Sequence, residues 1–156
     1  MTAIATTPPN GKAQTLKTTF YRETSISIEI SADPAIIWAL LTNASDYPRW
    51  NSTVTSIEGN IALGETIKLK STLDEKRVFK LKVKEFEPEN RLVWGDSQGN
   101  RVYSITNNGK SIFSMTEKIG GIMFPLYAKM IPSFNQSFEQ FALDLKKEAE
   151  IIMNNK

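Results

Sequence analysis

The feature that most constrains this sequence is a series of alternating apolar and polar segments from residue 53 to residue 119, with no helical pattern between them. Alternation over several residues predicts half-buried strands, and glycine, proline and asparagine mark the turns that separate these segments. Connections this short leave no room for a crossover helix, so neighbouring strands must be antiparallel. The predicted strands cover residues 53–58, 66–71, 78–87, 91–94, 101–106 and 111–119.

Before this series, residues 22–31 alternate between isoleucine and polar residues, which predicts one further strand. Pro34 then occupies a first helical position, and residues 34–43 follow as a short helix. A second helical turn is predicted over residues 45–50, where Tyr47 and Trp50 fall on one face.

The last part of the chain, residues 133–153, predicts a long amphipathic helix. Its apolar positions are Phe134, Phe138, Phe141, Leu145 and Ile152. The apolar face of such a helix must be buried, and one face of the sheet is the large apolar surface available. The sequence therefore predicts an α+β fold: a seven-stranded curved antiparallel sheet, two short helices after the first strand, and the long C-terminal helix across the concave face.

The segment before the first predicted strand is rich in threonine, alanine and proline and shows no period. We predict that residues 1–20 form a flexible N-terminal leader and that residues 21–156 form one ligand-binding domain.

The composition restricts the chemistry. The chain has no cysteine and no histidine, which excludes thiolate nucleophiles, disulfides and Ser-His-Asp catalysis. We expect no cofactor and no metal ion. A net charge of +2 with basic and acidic residues intermixed argues against a nucleic-acid partner. No apolar run approaches the ~20 residues of a membrane span, so we expect no stable membrane insertion and a cytoplasmic protein; the oligomeric state is not predicted.

Three local patterns, together with this order of elements, carry a family resemblance. They are Pro34-Ala35-Ile36-Ile37-Trp38-Ala39-Leu40-Leu41-Thr42, Asp46-Tyr47-Pro48-Arg49-Trp50-Asn51, and Glu117-Lys118-Ile119-Gly120-Gly121-Ile122-Met123-Phe124-Pro125-Leu126. From about residue 23 onward the chain resembles the START-like, or SRPBCC, superfamily, in its polyketide cyclase/dehydrase-like branch. The resemblance implies a helix-grip fold and a cavity that binds lipids, sterols, hormones or polyketide intermediates. It brings no catalytic signature with it, because the matching residues serve mainly caps, packing and turns.

The last predicted hairpin contains the candidate site. If Arg101, Tyr103 and Ile105 point inward, antiparallel pairing sets them opposite Glu117, Met115 and Phe113, respectively. An arginine and a glutamate facing an apolar cavity must pair, and together they would orient the polar end of a hydrophobic ligand. The alternative is that the pair lies at the open end of the fold, partly solvated, and only neutralises itself.

Large apolar side chains are the other candidates for ligand contact. Each of them is also a candidate for ordinary core packing. The predicted ligand-binding residues are Trp50, Phe79, Leu81, Trp94, Arg101, Tyr103, Phe113, Met115, Glu117, Phe124, Tyr127, Met130, Phe134 and Phe138.

The connection over residues 120–132 is apolar, with glycines at one end and prolines at the other. We predict a mobile flap or short broken helix over the cavity mouth. The alternatives are an ordinary first turn of the long helix and a patch that touches membranes.

Three functions follow. The leading one is a non-catalytic carrier or sensor of a small hydrophobic molecule such as a lipid, a sterol or a polyketide-like compound. The second is a polyketide cyclase or dehydratase in which Glu117, Arg101 and Tyr103 move or stabilise charge. The third is an interaction domain whose cavity is filled by Trp50, Trp94, Phe113 and Phe138.

Overall fold

The computed structural model describes residues 7–156 and contains one eight-stranded antiparallel sheet. The strands are β1 (Gln14–Lys17), β2 (Tyr21–Ile30), β3 (Val54–Glu58), β4 (Thr66–Ser71), β5 (Asp74–Glu87), β6 (Arg91–Gly95), β7 (Gly99–Asn107) and β8 (Ser111–Gly120). Their spatial order is β1-β2-β8-β7-β6-β5-β4-β3. The strands from β3 to β8 therefore form a meander, and β8 pairs with β2 on its other side.

The helices occupy the predicted places. They are α1 (Pro34–Thr42), α2 (Tyr47–Trp50), α3 (Phe124–Tyr127) and α4 (Asn135–Asn154). Single 3-10 turns precede α2, at Ala44–Asp46, and follow α3, at Ala128–Met130. The α+β class and the long C-terminal helix are thus confirmed, in an arrangement consistent with a helix-grip fold.

The strand count of seven is wrong, because β1 lies inside the predicted flexible leader. β1 pairs with β2 from Gln14 to Lys17, and two contacts join this segment to α4. The Ala13 N–H donates to Glu139 Oε2 at 2.9 Å, and the Thr15 hydroxyl donates to the Asn135 side chain. Residues 14–17 of the predicted leader thus form a strand, while residues 1–6 lie outside the described residues.

The core lies between α4 and one face of the sheet. The helix buries Phe138, Phe141, Ala142, Leu145 and Ala149, and these contact a core that includes every second residue of β2 from Ile26 to Ile30. Burying a large apolar side chain contributes about 1.5–3 kcal/mol relative to leaving it exposed. This burial fixes α4 against the sheet with its N-terminal end near the β8 terminus.

The long strand β5 opens the sheet at one end. It pairs with β6 only from Lys82 onward, so residues 74–81 have no neighbour on the β6 side. Its N-terminal end begins four residues earlier than the predicted residue 78. The resulting gap between the β4–β5 and β6–β7 hairpins is the mouth of the cavity described next.

Candidate functional site

A cavity of about 210 Å³ lies between the open end of the sheet and the start of α4. Both hairpins, the connection over residues 120–132 and the first turn of α4 contribute to its wall. The lining residues are Thr53, Val54, Leu69, Ser71, Leu73, Asp74, Arg77, Phe79, Leu81, Trp94, Gly95, Asp96, Gln98, Gly99, Asn100, Arg101, Glu117, Ile119, Met130, Ile131, Pro132, Phe134 and Ser137.

The predicted register of the last hairpin is confirmed. Arg101 pairs with Glu117, Tyr103 with Met115, and Ile105 with Phe113. Side chains alternate between the two faces of a strand. One correctly predicted residue pair therefore determines which residues of β7 and β8 face α4.

Arg101 and Glu117 form a mostly buried ion pair in the cavity wall. Arg101 Nε donates to Glu117 Oε1 at 2.6 Å, and the two side chains are 14% and 17% exposed. Burial disfavours the charged guanidinium, but the adjacent Glu117 carboxylate outweighs it, so the pKa of Arg101 is raised above its usual value. The guanidinium also lies 5.0 Å from the centre of the Phe138 ring. The guanidinium is therefore held by the Glu117 carboxylate and the Phe138 ring.

The ion pair uses only one donor of the guanidinium. Within residues 7–156, neither Nη atom of Arg101 has an acceptor in hydrogen-bonding geometry. The fully enclosed polar side-chain atoms that lack a partner in this part of the chain are Trp50 Nε1, Asn51 Nδ2 and Tyr103 OH. Because the Nη atoms are not among them, they remain accessible from the cavity.

A second arginine, Arg22 on β2, closes the other side of the site. Its side chain is almost fully buried and donates to the carbonyl oxygens of Ile131 at 3.2 Å and Pro132 at 2.7 Å. The guanidinium lies 4.7 Å from the centre of the Phe134 ring. Burial lowers the pKa of Arg22, while the charge of Glu117 partly opposes this change. Arg22 thus fixes the end of the 120–132 connection beside the cavity.

The inner half of the space between sheet and helix is solid. Phe141 lies at its centre, with ring centroids 5.8 Å from Trp50, 5.8 Å from Tyr103, 6.1 Å from Phe113 and 6.4 Å from Tyr47. We call these five residues the aromatic plug. Of the four residues expected to fill the cavity of an interaction domain, Trp50 and Phe113 belong to this plug, whereas Trp94 lines the 210 Å³ cavity on the other side.

The fourteen predicted ligand-binding residues divide into two equal groups. Those that line the cavity are Phe79, Leu81, Trp94, Arg101, Glu117, Met130 and Phe134. Those that do not are Trp50, Tyr103, Phe113, Met115, Phe124, Tyr127 and Phe138. Five of the second group belong to the buried core: Trp50, Tyr103, Phe113, Met115 and Phe138.

Tyr103 is buried without a hydrogen-bond partner for its hydroxyl among the described residues. Burial raises the pKa of Tyr103 to about 12, against the opposing effect of the nearby Arg101 guanidinium. The ring packs 5.0 Å from that of Trp94, which itself lines the cavity. Tyr103 therefore stays protonated near neutral pH and supports the cavity wall from behind.

The connection over residues 120–132 forms the predicted short broken helix, made of α3 and a 3-10 turn. Met130, Ile131 and Pro132 line the cavity, while Ile122 and Leu126 are 85% and 74% exposed. The segment begins at Gly121, whose φ of +145° is a backbone conformation that residues with a Cβ rarely adopt.

No pattern in the sequence predicts some of the residues that line the cavity. Asp74 and Arg77 precede the predicted start of their strand, in a polar stretch without alternation, yet Arg77 places its guanidinium 4.5 Å from the Phe79 ring centre in the wall. Arg22 begins the first predicted strand, and alternation from Ile26 already sets it on the inner face. The alternation of β2 therefore identifies Arg22 as an inward-facing residue.

Two further tests of the described chain concern metals and membranes. No group of three or more carboxylates is arranged to bind a metal ion within residues 7–156. Every helix in this part of the chain is too short or too polar to cross a bilayer.

The model of one protein family matches residues 21–150, and its description is polyketide cyclase / dehydrase and lipid transport. No curated protein sequence matches the chain significantly. Among solved structures, the chain is similar to a conserved protein of unknown function, EF2215, from Enterococcus faecalis, with a TM-score of 0.66 and 14% identity over 91% of this chain and 79% of that one.

Two further solved structures have the same fold. A START superfamily protein from Mycobacterium smegmatis gives a TM-score of 0.61 and 15% identity over 83% of this chain and 98% of that one. The Aha1 dimer from Colwellia psychrerythraea gives 0.62 and 20% identity over 83% and 96%. At such identities these likenesses concern the fold alone.

Proposed function

The chain belongs to the polyketide cyclase / dehydrase and lipid transport family, and on that premise we propose that it binds a small hydrophobic molecule in the cavity between sheet and α4, as a carrier or sensor and without catalysis. The observation that carries the proposal is the cavity itself. It combines aromatic walls with the Arg101–Glu117 pair and further polar side chains, among them Asp74, Arg77 and Asp96. Pockets that join apolar walls to a few placed polar groups are typical of small-molecule sites.

The Arg101–Glu117 pair gives the bound molecule its orientation. The carboxylate holds Arg101 at Nε, so the Nη donors face the cavity and can bind an oxygen of the ligand. A buried donor without an acceptor costs free energy, and a ligand that supplies the acceptor recovers it. The pair therefore serves recognition, and Phe79, Trp94 and Phe134 supply the apolar contact.

The connection over residues 120–132 acts as the entrance lid. Its far end is anchored by Arg22 through two backbone carbonyls, whereas a Cβ at Gly121 would meet no atom within 4 Å. The Gly121 N–H is held by the Phe20 carbonyl, so the lid would move by turning the backbone that follows this glycine. Replacing Gly121 by alanine, which disfavours its φ of +145°, would then change the rate of ligand exchange more than the affinity, as measured by stopped-flow fluorescence.

The lid also exposes apolar side chains, which leaves membrane contact as an alternative role. Co-sedimentation of the intact chain with vesicles of phosphatidylcholine and phosphatidylglycerol separates the two roles. Binding that is lost in Leu126→Ser would assign the exposed face to lipid surfaces; absence of binding would leave the lid as a gate alone.

Native mass spectrometry of freshly purified protein, followed by chemical denaturation with candidate ligands, tests the proposed function. A ligand at one hundred times its dissociation constant stabilises the folded state by about 2.7 kcal/mol. We expect a co-purifying small molecule that shifts the unfolding midpoint. An empty protein that no member of a lipid, sterol and polyketide panel stabilises would refute the proposal.

A cyclase or dehydratase is the second candidate, and the buried Arg101–Glu117 pair is the observation that favours it. Glu117 would act as the base and Arg101 would stabilise a developing enolate. Tyr103, protonated and outside the lining, would contribute only through Arg101. Turnover of a poly-β-ketone substrate that is lost in Glu117→Gln would favour catalysis, and unchanged turnover would remove the proposed base.

A further inference from the structure

Resting on the proposed function, we infer that the cavity takes a compact aromatic compound of one or two rings whose polar end presents an oxygen acceptor to the Nη atoms of Arg101. Long acyl chains and four-ring sterols are too large for this cavity to enclose. Three features of the wall carry the inference: its volume, its flat aromatic surfaces and its unused donors.

The volume sets an upper bound on the ligand. An apolar cavity of about 150 Å³ takes benzene, and sites for drug-sized ligands enclose about 300–1,000 Å³. The cavity here, at about 210 Å³, lies between these cases. It accommodates one substituted ring or two fused rings.

The aromatic plug keeps the cavity small. Tyr103 lies directly behind the wall residue Trp94, and Phe141 lies behind Tyr103, with both rings almost fully buried. A long ligand would have to displace these rings, and protein interiors at close-packed density resist such displacement. The cavity therefore cannot extend along α4 as an acyl chain would require.

The shape of the remaining wall suits a flat molecule. Phe79, Trp94 and Phe134 line the cavity, and the Arg77 and Arg22 guanidinium groups lie over the rings of Phe79 and Phe134, respectively. Aromatic pairs gain from stacked or edge-to-face contact beyond simple area burial. A planar ring therefore makes more favourable contacts with these aromatic surfaces than a flexible chain of the same volume.

The polar end is set by Arg101. Its Nη atoms reach the cavity and have no acceptor among residues 7–156, while Nε is occupied by Glu117. A guanidinium has five N–H donors and no acceptor. The matching ligand group is an oxygen acceptor, either a neutral carbonyl or a carboxylate.

Isothermal titration calorimetry of the full chain with four probes tests each feature. The probes are 2-naphthoate, 2-acetylnaphthalene, 2-ethylnaphthalene and palmitate. We expect at least one of the two oxygen-bearing naphthyl probes to bind about tenfold or more tightly than 2-ethylnaphthalene, and palmitate to bind more weakly than either. Which of the two binds better identifies the acceptor as charged or neutral.

Other orders of probe affinity would each overturn a different part of the inference. Palmitate binding more tightly than every naphthyl probe would overturn the size limit and leave ligand binding intact. Equal affinity for 2-ethylnaphthalene would overturn the role of Arg101. If no probe binds but native mass spectrometry finds a co-purifying molecule, the inference about the ligand is wrong and the proposed function stands. If no probe binds and no co-purifying molecule is found, both are wrong.

Two variants separate recognition from folding. Arg101→Met/Glu117→Leu removes both charges of the pair and leaves neither one unpaired, so it should keep ring binding and lose the tenfold preference for the oxygen-bearing probes. Tyr103→Leu removes a ring behind Trp94 and a hydroxyl without a partner, so it should raise the affinity for 2-anthroate severalfold relative to 2-naphthoate. If Tyr103→Leu does not fold, weaker binding of 2-anthroate than 2-naphthoate by the unaltered chain tests the same limit, and tighter binding overturns it.

Discussion

Breaking the Arg101–Glu117 pair from one side should destabilise the protein far more than removing the pair as a whole. The perturbation is a double-mutant cycle of Arg101→Met, Glu117→Leu and the double variant. Each single substitution leaves one charge in a wall where its side chain is 14–17% exposed, whereas the double substitution leaves apolar side chains against Phe134 and Phe138.

The magnitude follows from geometry. Two charges about 4 Å apart attract by about 4 kcal/mol at an effective dielectric constant of 20, and removing one partner of a buried pair costs about 3–5 kcal/mol. Because the two side chains keep a small exposed fraction, we expect about 2–3 kcal/mol for each single variant. Replacing a buried pair by apolar residues is often neutral, so the double variant should cost no more than either single one. The coupling is then at least about 2 kcal/mol.

Urea denaturation followed by circular dichroism measures these values at 0.1 M and 1 M NaCl. A matched control is the exposed strand pair Arg91–Glu85, with Nε to Oε1 at 3.1 Å and side chains 41% and 46% exposed. Its coupling should be about 0–1 kcal/mol and should shrink in salt. If the Arg101–Glu117 coupling equals that of the control and falls in salt alike, the pair is solvated and the recognition argument is refuted.

Three further predictions concern the scaffold. Phe141→Ala should lower the free energy of unfolding by about 3–5 kcal/mol, against about 0.5 kcal/mol or less for the exposed Leu143→Ala on the same helix; equal costs would contradict the plug. The pKa of Glu150 is lowered, because hydrogen bonds from a lysine and a backbone N–H outweigh burial, so its stabilisation is present above about pH 4.3 and is lost on acidification. Glu150→Gln should therefore reduce the difference in urea midpoint between pH 6 and pH 3, and an unchanged difference would refute this assignment. Gly99→Ala should lower the free energy of unfolding by about 1–3 kcal/mol, because a Cβ there collides with a backbone carbonyl of β8. A urea midpoint equal to that of Ser97→Ala, in the same hairpin, would contradict this close approach.

The sheet from β3 to β8 was predictable because its signals are local. Alternation identifies strands, and Gly and Asn mark the turns, so one hairpin register follows from the sequence alone. The pairing of Arg101 with Glu117 is the direct result. In contrast, β1 is four residues long and mostly exposed, and besides its pairing with β2 it depends on contacts from Asn135 and Glu139, more than 110 residues away. No local pattern reports such a contact.

The position of the cavity was not predictable for a similar reason. Judged by residue type and by the face of their strand or helix, Trp50, Phe113 and Phe134 could equally well line a cavity. Which of them meets empty space depends on where α4 lies along the sheet, and therefore on Phe141, which fills one half. Periodicity places a side chain on a face but does not set the distance to the opposite layer.

The pairing of β2 with β8 has a consequence for how this chain acquires its structure. The strand that carries Ile26, Ile28 and Ile30 is synthesised first, yet its partner emerges about eighty residues later. Until then an apolar ribbon remains without its neighbour, and such species associate with one another at ordinary concentrations. Contacts between distant parts of a sequence also slow the search for the final arrangement. Nascent chains released before β8 should therefore depend on chaperones and aggregate without them, while full-length chains refold slowly and in a single closing step.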